Sequence, residues 1–465
     1  MTGRAAALTS LALAGTIVGA VLVARTQAAR PTSSAQRSIA RPRPTPAARP
    51  LPLAPPRGTV PGWLHTDGTW IVDAKNHPVR LASISWYGAE GTTFIPGGLD
   101  RRPYMDILRT VKYLGFNSIR LPFSNELVER NPIVRRHVEA NPQFRGKHAL
   151  DILDTILAAA RQVGVMVILS DMHVEAGQSG PGHVLWYSPP RHTQQQWIDD
   201  WVVLARRYRS NPAVIGYDLY NEPHSNGPGL EILGLGYLRQ GATWGPFQGV
   251  DNPATDWRLA AERAGNAILR VNPHVLIIVE GVEIYPYRNP LRGDICPYHI
   301  PATEGDCADL YWWGGNLQGV RQYPVVLSVP HQLVYSPHEY GPAMHDQRWI
   351  TPAMTERDWQ SEMSRHWGYL LDARGPNAAP LWVGEFGTNT ASNLGVRDPL
   401  GNWQRAWFSA LIDYLQRHRS IGWAYWPLNG TYPGGSRREG YGLLSQDWRH
   451  ISNRQVFESL RSIQR

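Results

Sequence analysis

The chain of 465 residues has only two cysteines, Cys296 and Cys307. Two thiols without paired histidines beside them offer too few ligands for a zinc ion, so no metal site is expected. Acidic residues and lysine are absent from residues 1–58, which hold eight arginines. Those eight account for the whole formal charge of +8, leaving 38 cations against 38 acids in residues 59–465. A formally neutral body lacks the basic balance that phosphate-backbone binding requires, which excludes nucleic acid as the partner. No internal repeat of fixed period is visible, which argues against a solenoid or propeller.

The N-terminal segment is set apart by composition. Arg4 precedes an uncharged run from Ala5 to Ala24, and small residues surround Thr26-Gln27-Ala28. This is the pattern of an export signal. About twenty apolar residues also suffice to span a bilayer, so residues 1–29 read as a signal peptide or an uncleaved anchor. The product is expected to be secreted or periplasmic, or held at the membrane by that segment. Residues 30–58, rich in Pro, Arg, Ala and Ser, cannot bury a core and read as an extended, disordered linker. In an exported chain, Cys296 and Cys307 read as a local disulfide closing one Pro/Gly-rich loop.

Residues 59–465 read as one domain of alternating strands and helices. Strands are expected at Arg80–Trp86, Phe116–Leu121, Val165–His173, Val214–Pro223, His274–Glu280, Leu333–Tyr340, Leu381–Glu385 and Ile421–Trp426. Helices are expected at Tyr104–Leu114, Ala149–Val163, Gln194–Tyr208, Asp256–Val271, Trp359–Leu371, Trp403–Gln416 and Asn453–Ile463. The helix between the fifth and sixth strands is poorly defined. Eight apolar strands alternating with helices imply an α/β fold closed as a (β/α)8 TIM barrel. A monomer is expected.

Val214–Pro223 organises the rest. It opens as an apolar strand and ends on Asn221 and Glu222, stopped by Pro223. A carboxylate at the end of a buried strand is expensive unless it has a task or a partner. Alone, Glu222 could cap a helix or pair with an arginine. However, Arg120, His173, His338 with Tyr340, Glu385 and Trp426 also fall at predicted strand C-termini. A barrel gathers those ends on the face where active sites are built. Each has a plain structural reading, as an ion-pair partner, a core histidine, a packing aromatic or a cap. One shared site explains the set better than coincidence does. Two carboxylates facing a cleft suit glycoside hydrolysis, one protonating the leaving oxygen and the other attacking the anomeric carbon. The chain has 19 Trp and 20 Tyr, whose flat faces suit sugar rings, though core packing accounts for most Trp in any large domain.

These motifs resemble glycoside hydrolase family 5, the retaining β-1,4-glycanases on a (β/α)8 barrel. The resemblance rests on Arg120 in Ile-Arg-Leu-Pro-Phe-Ser, His173 in Asp-Met-His, Asn221-Glu222-Pro223, His338-Glu-Tyr340, Glu385 in Gly-Glu-Phe-Gly, and Trp426. It implies Glu222 as acid/base, Glu385 as nucleophile and no cofactor. Asp256-Trp-Arg-Leu-Ala-Ala-Glu, Val279-Glu-Gly-Val and Trp312-Trp-Gly-Gly-Asn make the chain most similar to bacterial endo-β-1,4-glucanases. By the same resemblance, Trp86 and Trp313 would line sugar subsites beside Trp426, with a β-glucan as substrate. Within that family, β-mannanase, xyloglucanase, exo-β-glucosidase and transglycosidase activities are the alternatives; outside it, a catalytically inactive glycan-binding protein. The loops near 226–254 and 287–309 look longer than in those cellulases and bear on endo against exo action.

Overall fold

A computed structural model describes residues 49–465, apart from 56, 178–183, 225–240, 247–251, 289–305, 346, 348, 376–377 and 390–400. A short antiparallel hairpin, β1 (His65–Asp67) and β2 (Trp70–Val72), precedes the first barrel strand, β3 (Ala82–Ser85). Then come α1 (Tyr104–Tyr113), β4 (Ser118–Ser124), α2 (Asn125–Arg130), α3 (Ala149–Val163) and β5 (Met166–His173). After these follow α4 (Gln194–Tyr208), β6 (Val214–Asp218), α5 (Trp257–Leu269) and β7 (Leu276–Glu280). An antiparallel ribbon of β8 (Ile284–Arg288) and β9 (Asp306–Leu310) stands where the ill-defined helix was sought. The last third holds β10 (Leu333–Ser336), β11 (His338–Glu339), α6 (Glu356–His366), β12 (Trp382–Phe386), α7 (Gly401–Arg417), β13 (Gly422–Tyr425) and α8 (Arg454–Ser462).

The strands form one parallel sheet in the order β10-β7-β6-β5-β4-β3-β13-β12-β11. Because β10 and β11 are two halves of one strand, the ring closes and the expected barrel is present. The break falls at Pro337, which has no N–H for a ladder. Leu333–Ser336 pairs with β7, whereas His338 and Glu339 pair with Glu385 and Phe386 of β12.

Two apolar layers hold the barrel. Leu81, Met166, Ile168, Ile215, Leu276, Ile278, Val334, Trp382 and Ala424 form a cluster containing no helical residue, which is the barrel interior. Leu64 and Ile71, flanking and within the hairpin, join that cluster and so plug one end. The alternate strand residues, such as Ile119, Leu121, Val167, Leu169, Ile277 and Val279, pack in a second cluster with the helices. This period of two dictates which side chains face inward. Leu276 and Ile278 fill the interior, so Glu280 at the end of the same strand faces it too.

The helices begin where local chemistry supports them. Thr193 and Gln196 form a reciprocal capping box on α4, as Thr355 and Asp358 do on α6. Gly164 ends α3 with φ +78°, a left-handed conformation that a Cβ disfavours. Three expectations need correction. The linker reading of residues 30–58 fails at its end. Leu51, Ala54 and Gly58 donate backbone N–H groups to Arg449, Arg109 and Gln162, all in or beside the barrel's helices. The expected helix Trp359–Leu371 starts earlier and breaks at Trp367 into a short 3-10 turn, Gly368–Asp372. Finally, β6 stops at Asp218, so Glu222 sits four residues beyond the strand, not on its last residue. The apolar run Ala5–Ala24 and the cysteine pairing lie outside the described residues, Cys296 being undescribed. Among the described residues, no helix is long and apolar enough to cross a membrane.

Glu339 shows how the barrel wall is pinned to its helices. It is fully buried, and accepts hydrogen bonds from Tyr311 Oη (2.6 Å), Trp367 Nε1 (3.1 Å) and Trp407 Nε1 (3.1 Å). Burial pushes its carboxyl up to about 7, against those three donors. Glu339→Leu leaves three buried donors without an acceptor, at about 1–3 kcal/mol each. Urea unfolding should register a loss of about 3 kcal/mol or more, and a smaller one for Glu339→Gln. A leucine variant as stable as the parent would remove this residue from the account of the wall.

Candidate active site

Inward-facing positions at one end of the barrel carry the polar residues. Arg120 of β4 is completely buried, alternating with Ile119 and Leu121 of the outer layer. Its guanidinium donates from Nε to Asp218 Oδ2 (2.9 Å) and from Nη1 to Glu385 Oε2 (2.7 Å). From Nη2 it donates to Asn221 Oδ1 (2.8 Å) and to Glu280 Oε1 (3.3 Å). Burial opposes its charge, but the carboxylates of Asp218, Glu385 and Glu280 outweigh it and raise its pKa further. Ser170 Oγ donates to the same Asp218 oxygen at 2.8 Å.

Glu385 lies in β12, and its other oxygen accepts from Tyr340 Oη at 2.5 Å. Burial raises the Glu385 carboxyl above its ordinary value, outweighing the pull of His338, Arg120 and the Tyr340 hydroxyl. The arginine therefore offsets desolvation in part and does not reverse it.

Glu222 is the more accessible carboxylate, its side chain 20% exposed against 7% for Glu385. Its φ is +53°, a left-handed conformation unusual for a residue with a side chain. Glu222 Oε1 lies 3.0 Å from His338 Nδ1, and the Glu222 N–H donates to Glu280 Oε2 at 2.6 Å. His338 Nε2 lies 3.0 Å from Glu280 Oε1. Burial alone would strip His338 of its proton, but Glu280, Glu222 and Glu385 outweigh it and push its pKa up to about 10. Glu280, wholly buried, is pushed up to about 8 by desolvation, with His338 and Arg120 pulling against it.

The structure thus brings Arg120, Asn221, Glu222, His338, Tyr340 and Glu385 into one cluster, as their strand-end positions suggest. His173 closes β5 on the same face, half-buried and opposite Ser124 of β4. Trp426 follows β13, half-buried, and stacks on Tyr87 at 4.9 Å with the rings 24° apart. Trp313 stacks on His224 at 3.8 Å and 7°. Trp86 departs from expectation. It is fully buried with its indole N–H on Gly97 O (2.9 Å), so it supports the loop after β3 and shows no face to a sugar. Sequence reasoning also missed Asp218, Glu280 and Tyr87. Glu280 ends an apolar strand just as Glu385 does, so the strand-end rule that found the others reaches it as well.

Glu222, His338 and Glu385 bring three ligand-type atoms within 4.8 Å of one another. A cation there would need the lone pair of His338 Nδ1. The carboxylates of Glu280, Glu222 and Glu385 outweigh burial and favour a proton on that ring, with Nδ1 facing Glu222. The cluster offers paired carboxylates with a fixed guanidinium, imidazole and phenol.

Known proteins resemble this chain over most of its length. The model of the family described as cellulase, glycosyl hydrolase family 5, matches residues 72–431. An endoglucanase of Paenibacillus polymyxa is 37% identical over 400 residues, covering 85% of this chain and 86% of the relative. The major extracellular endoglucanase of Xanthomonas campestris is 31% identical, covering 81% and 68%. A solved hyperthermophilic endocellulase from Pyrococcus horikoshii superposes with TM-score 0.71 at 31% identity, covering 88% of this chain and all of that one.

Groups raised on folding hold protons more tightly in the folded state. They favour the fold below their ordinary pKa, and that benefit is lost as pH climbs through the folded value. For Glu280 the window runs from 4.5 to about 8, and for His338 from 6.5 to about 10. Buried Glu90 and Asp200, both pushed up to about 7 by desolvation, add the same sign. The thermal unfolding midpoint should therefore fall between about pH 5 and about pH 9. A midpoint that holds or climbs over that range in calorimetry would contradict the assignment of these shifts.

Proposed function

The chain belongs to the cellulase family, glycosyl hydrolase family 5, and from that premise we infer an endo-1,4-β-D-glucanase that cleaves β-1,4-glucosidic bonds of cellulose or related β-glucans with retention. One observation carries the reading. Carboxylate oxygens of Glu222, beyond the end of β6, and of Glu385, in β12, lie within 4.8 Å of each other. Separations of about 5 Å favour direct attack on the sugar, whereas inversion needs a wider gap that admits water.

The roles are those that membership of the family implies for these two positions. Glu385, bonded by Arg120 and Tyr340 deep in the barrel, serves as nucleophile. Its oxygen attacks the anomeric carbon while Glu222, at the more open position, gives its proton to the departing glycosidic oxygen. The glycosidic C–O bond breaks and a glycosyl–Glu385 ester forms. Glu222, now a carboxylate, then takes a proton from water, whose oxygen displaces Glu385 and leaves the β-anomer. Because Arg120 occupies Asn221 Oδ1, the amide NH2 of Asn221 is turned to donate to a sugar 2-hydroxyl. Trp426, backed by Tyr87, and Trp313, backed by His224, supply flat faces for sugar rings. Solved relatives from Pyrococcus horikoshii include complexes with cellotetraose, which supports a chain of β-1,4-linked glucose as the ligand.

Export is the second part of the proposal, supported by the apolar run Ala5–Ala24 behind Arg4.

Glu222→Ala and Glu385→Ala should each lower turnover of carboxymethylcellulose by about 10² or more with the thermal midpoint little changed. NMR of the first product formed should show the β-anomer. Near-parental activity in either variant, or an initial α-anomer, would rule out the double displacement. In fractionated host cells the protein should appear in the periplasm, medium or membrane. Recovery from the cytosol alone would rule out export.

A further inference from the structure

Glu280 is a fully buried carboxyl that neither attacks nor protonates anything in the reaction just described, yet it touches both ends of Glu222. Its Oε2 accepts the Glu222 backbone N–H at 2.6 Å, fixing the main chain of a residue held at φ +53°. Its Oε1 lies 3.0 Å from His338 Nε2, and the opposite ring nitrogen meets the Glu222 carboxyl at 3.0 Å. One carboxyl group thus closes a ring of contacts through peptide, side chain and imidazole.

Glu280 is itself firmly held. Trp257 Nε1 donates to its backbone oxygen at 2.8 Å, and Arg120 Nη2 reaches Oε1 at 3.3 Å. Gly314, at φ +68°, passes so close that a Cβ there would lie 2.4 Å from Oε2. The backbone conformation and the space both require glycine, which leaves Oε2 its approach to Glu222. A buried carboxylate is costly, and an apolar side chain of similar size would serve a mere core position at least as well. The contacts made by Glu280 go instead to the group whose direction decides where a proton is delivered.

We propose that Glu280 is the positioning residue for the acid/base: through the Glu222 N–H and through His338, it fixes the direction in which Glu222 delivers and recovers its proton. The proposal rests on the acid/base reading of Glu222, and the test separates the two. Both variants, Glu222→Ala and Glu280→Gln, are assayed on phenyl β-cellobioside, whose leaving group needs a proton, and on 2,4-dinitrophenyl β-cellobioside, whose leaving group does not. The quantity read is kcat/KM, which reports glycosylation.

Glu280→Gln has the same size but one oxygen where Glu280 has two, so it cannot serve both the Glu222 N–H and the side facing His338 and Arg120. It should lower kcat/KM on the phenyl substrate by about a hundredfold while the dinitrophenyl substrate changes by less than about threefold. Glu222→Ala should split the two substrates in the same way, and its failure to do so would sink the acid/base reading itself. If Glu222→Ala splits them and Glu280→Gln lowers both equally, or neither, the positioning role is overturned. Should the glutamine variant not fold, Glu280→Asp keeps a carboxyl group, shortens its reach and must show the same split. Failure of both variants to fold would assign Glu280 to the scaffold and overturn the proposal.

Discussion

The site is organised around one buried cation. Arg120 has no exposed surface and spreads its guanidinium over Asp218, Asn221, Glu280 and Glu385, which come from three other strands or their extensions. A guanidinium is the side chain suited to this, since its planar fork carries several donors in fixed directions and stays charged in a buried site. Removed from water, it is tolerable only because carboxylates surround it, and they are tolerable only because it is there. Neither half of the cluster can be kept without the other. The geometry that aims Glu385 is therefore also the geometry that satisfies the barrel interior.

That dependence explains why, among the described residues, the charged groups of the barrel interior gather toward one end. Below Arg120 the interior is sealed by Ile168, Ile215, Leu276, Ile278, Trp382 and the hairpin residue Ile71. The change from apolar to charged filling occurs along single strands, as in Ile278 to Glu280 two positions later. A dry floor lowers the local dielectric and strengthens each ion pair above it, while raising the cost of any charge left alone. The upward shifts of Glu280 and Glu385 and the protonated state of His338 are consequences of that floor as much as of their neighbours.

Much of this was legible in the sequence, because period-two alternation and strand-end chemistry are local. Ala149–Val163 and Gln194–Tyr208 form helices with the expected bounds, since apolar spacing, a C-terminal glycine and a threonine cap all agree there. Glu222 and Glu385 could be picked out by the same local rules. What was not legible depends on contacts distant in the chain. Trp86 looks like a sugar platform in the sequence, yet the loop after β3 folds over it and buries it entirely. Leu51–Gly58 looks like linker, yet its backbone finds acceptors beside three different helices. Glu280 is within reach of the strand-end rule, but its approach to both His338 and Glu222 depends on contacts distant in the chain. The left-handed turn at Glu222 likewise has no local marker, because no glycine or asparagine stands at that position.

The strained backbone at Glu222 and the buried carboxyl beside it belong to one problem. A catalytic acid must sit close to the nucleophile, yet two carboxylates at the same depth would repel and titrate alike. Lifting Glu222 off the end of β6 places it nearer the solvent, at 20% side-chain exposure, while Glu385 stays within the wall at 7%. A left-handed residue at this turn carries the chain away from the strand direction, but nothing in the sequence near Glu222 makes such a turn favourable. An external acceptor has to hold it. Glu280 Oε2 meets that need from the neighbouring strand, and the glycine at 314 leaves the space for it. The difference in depth between the two carboxylates thus depends on a hydrogen bond to a peptide group.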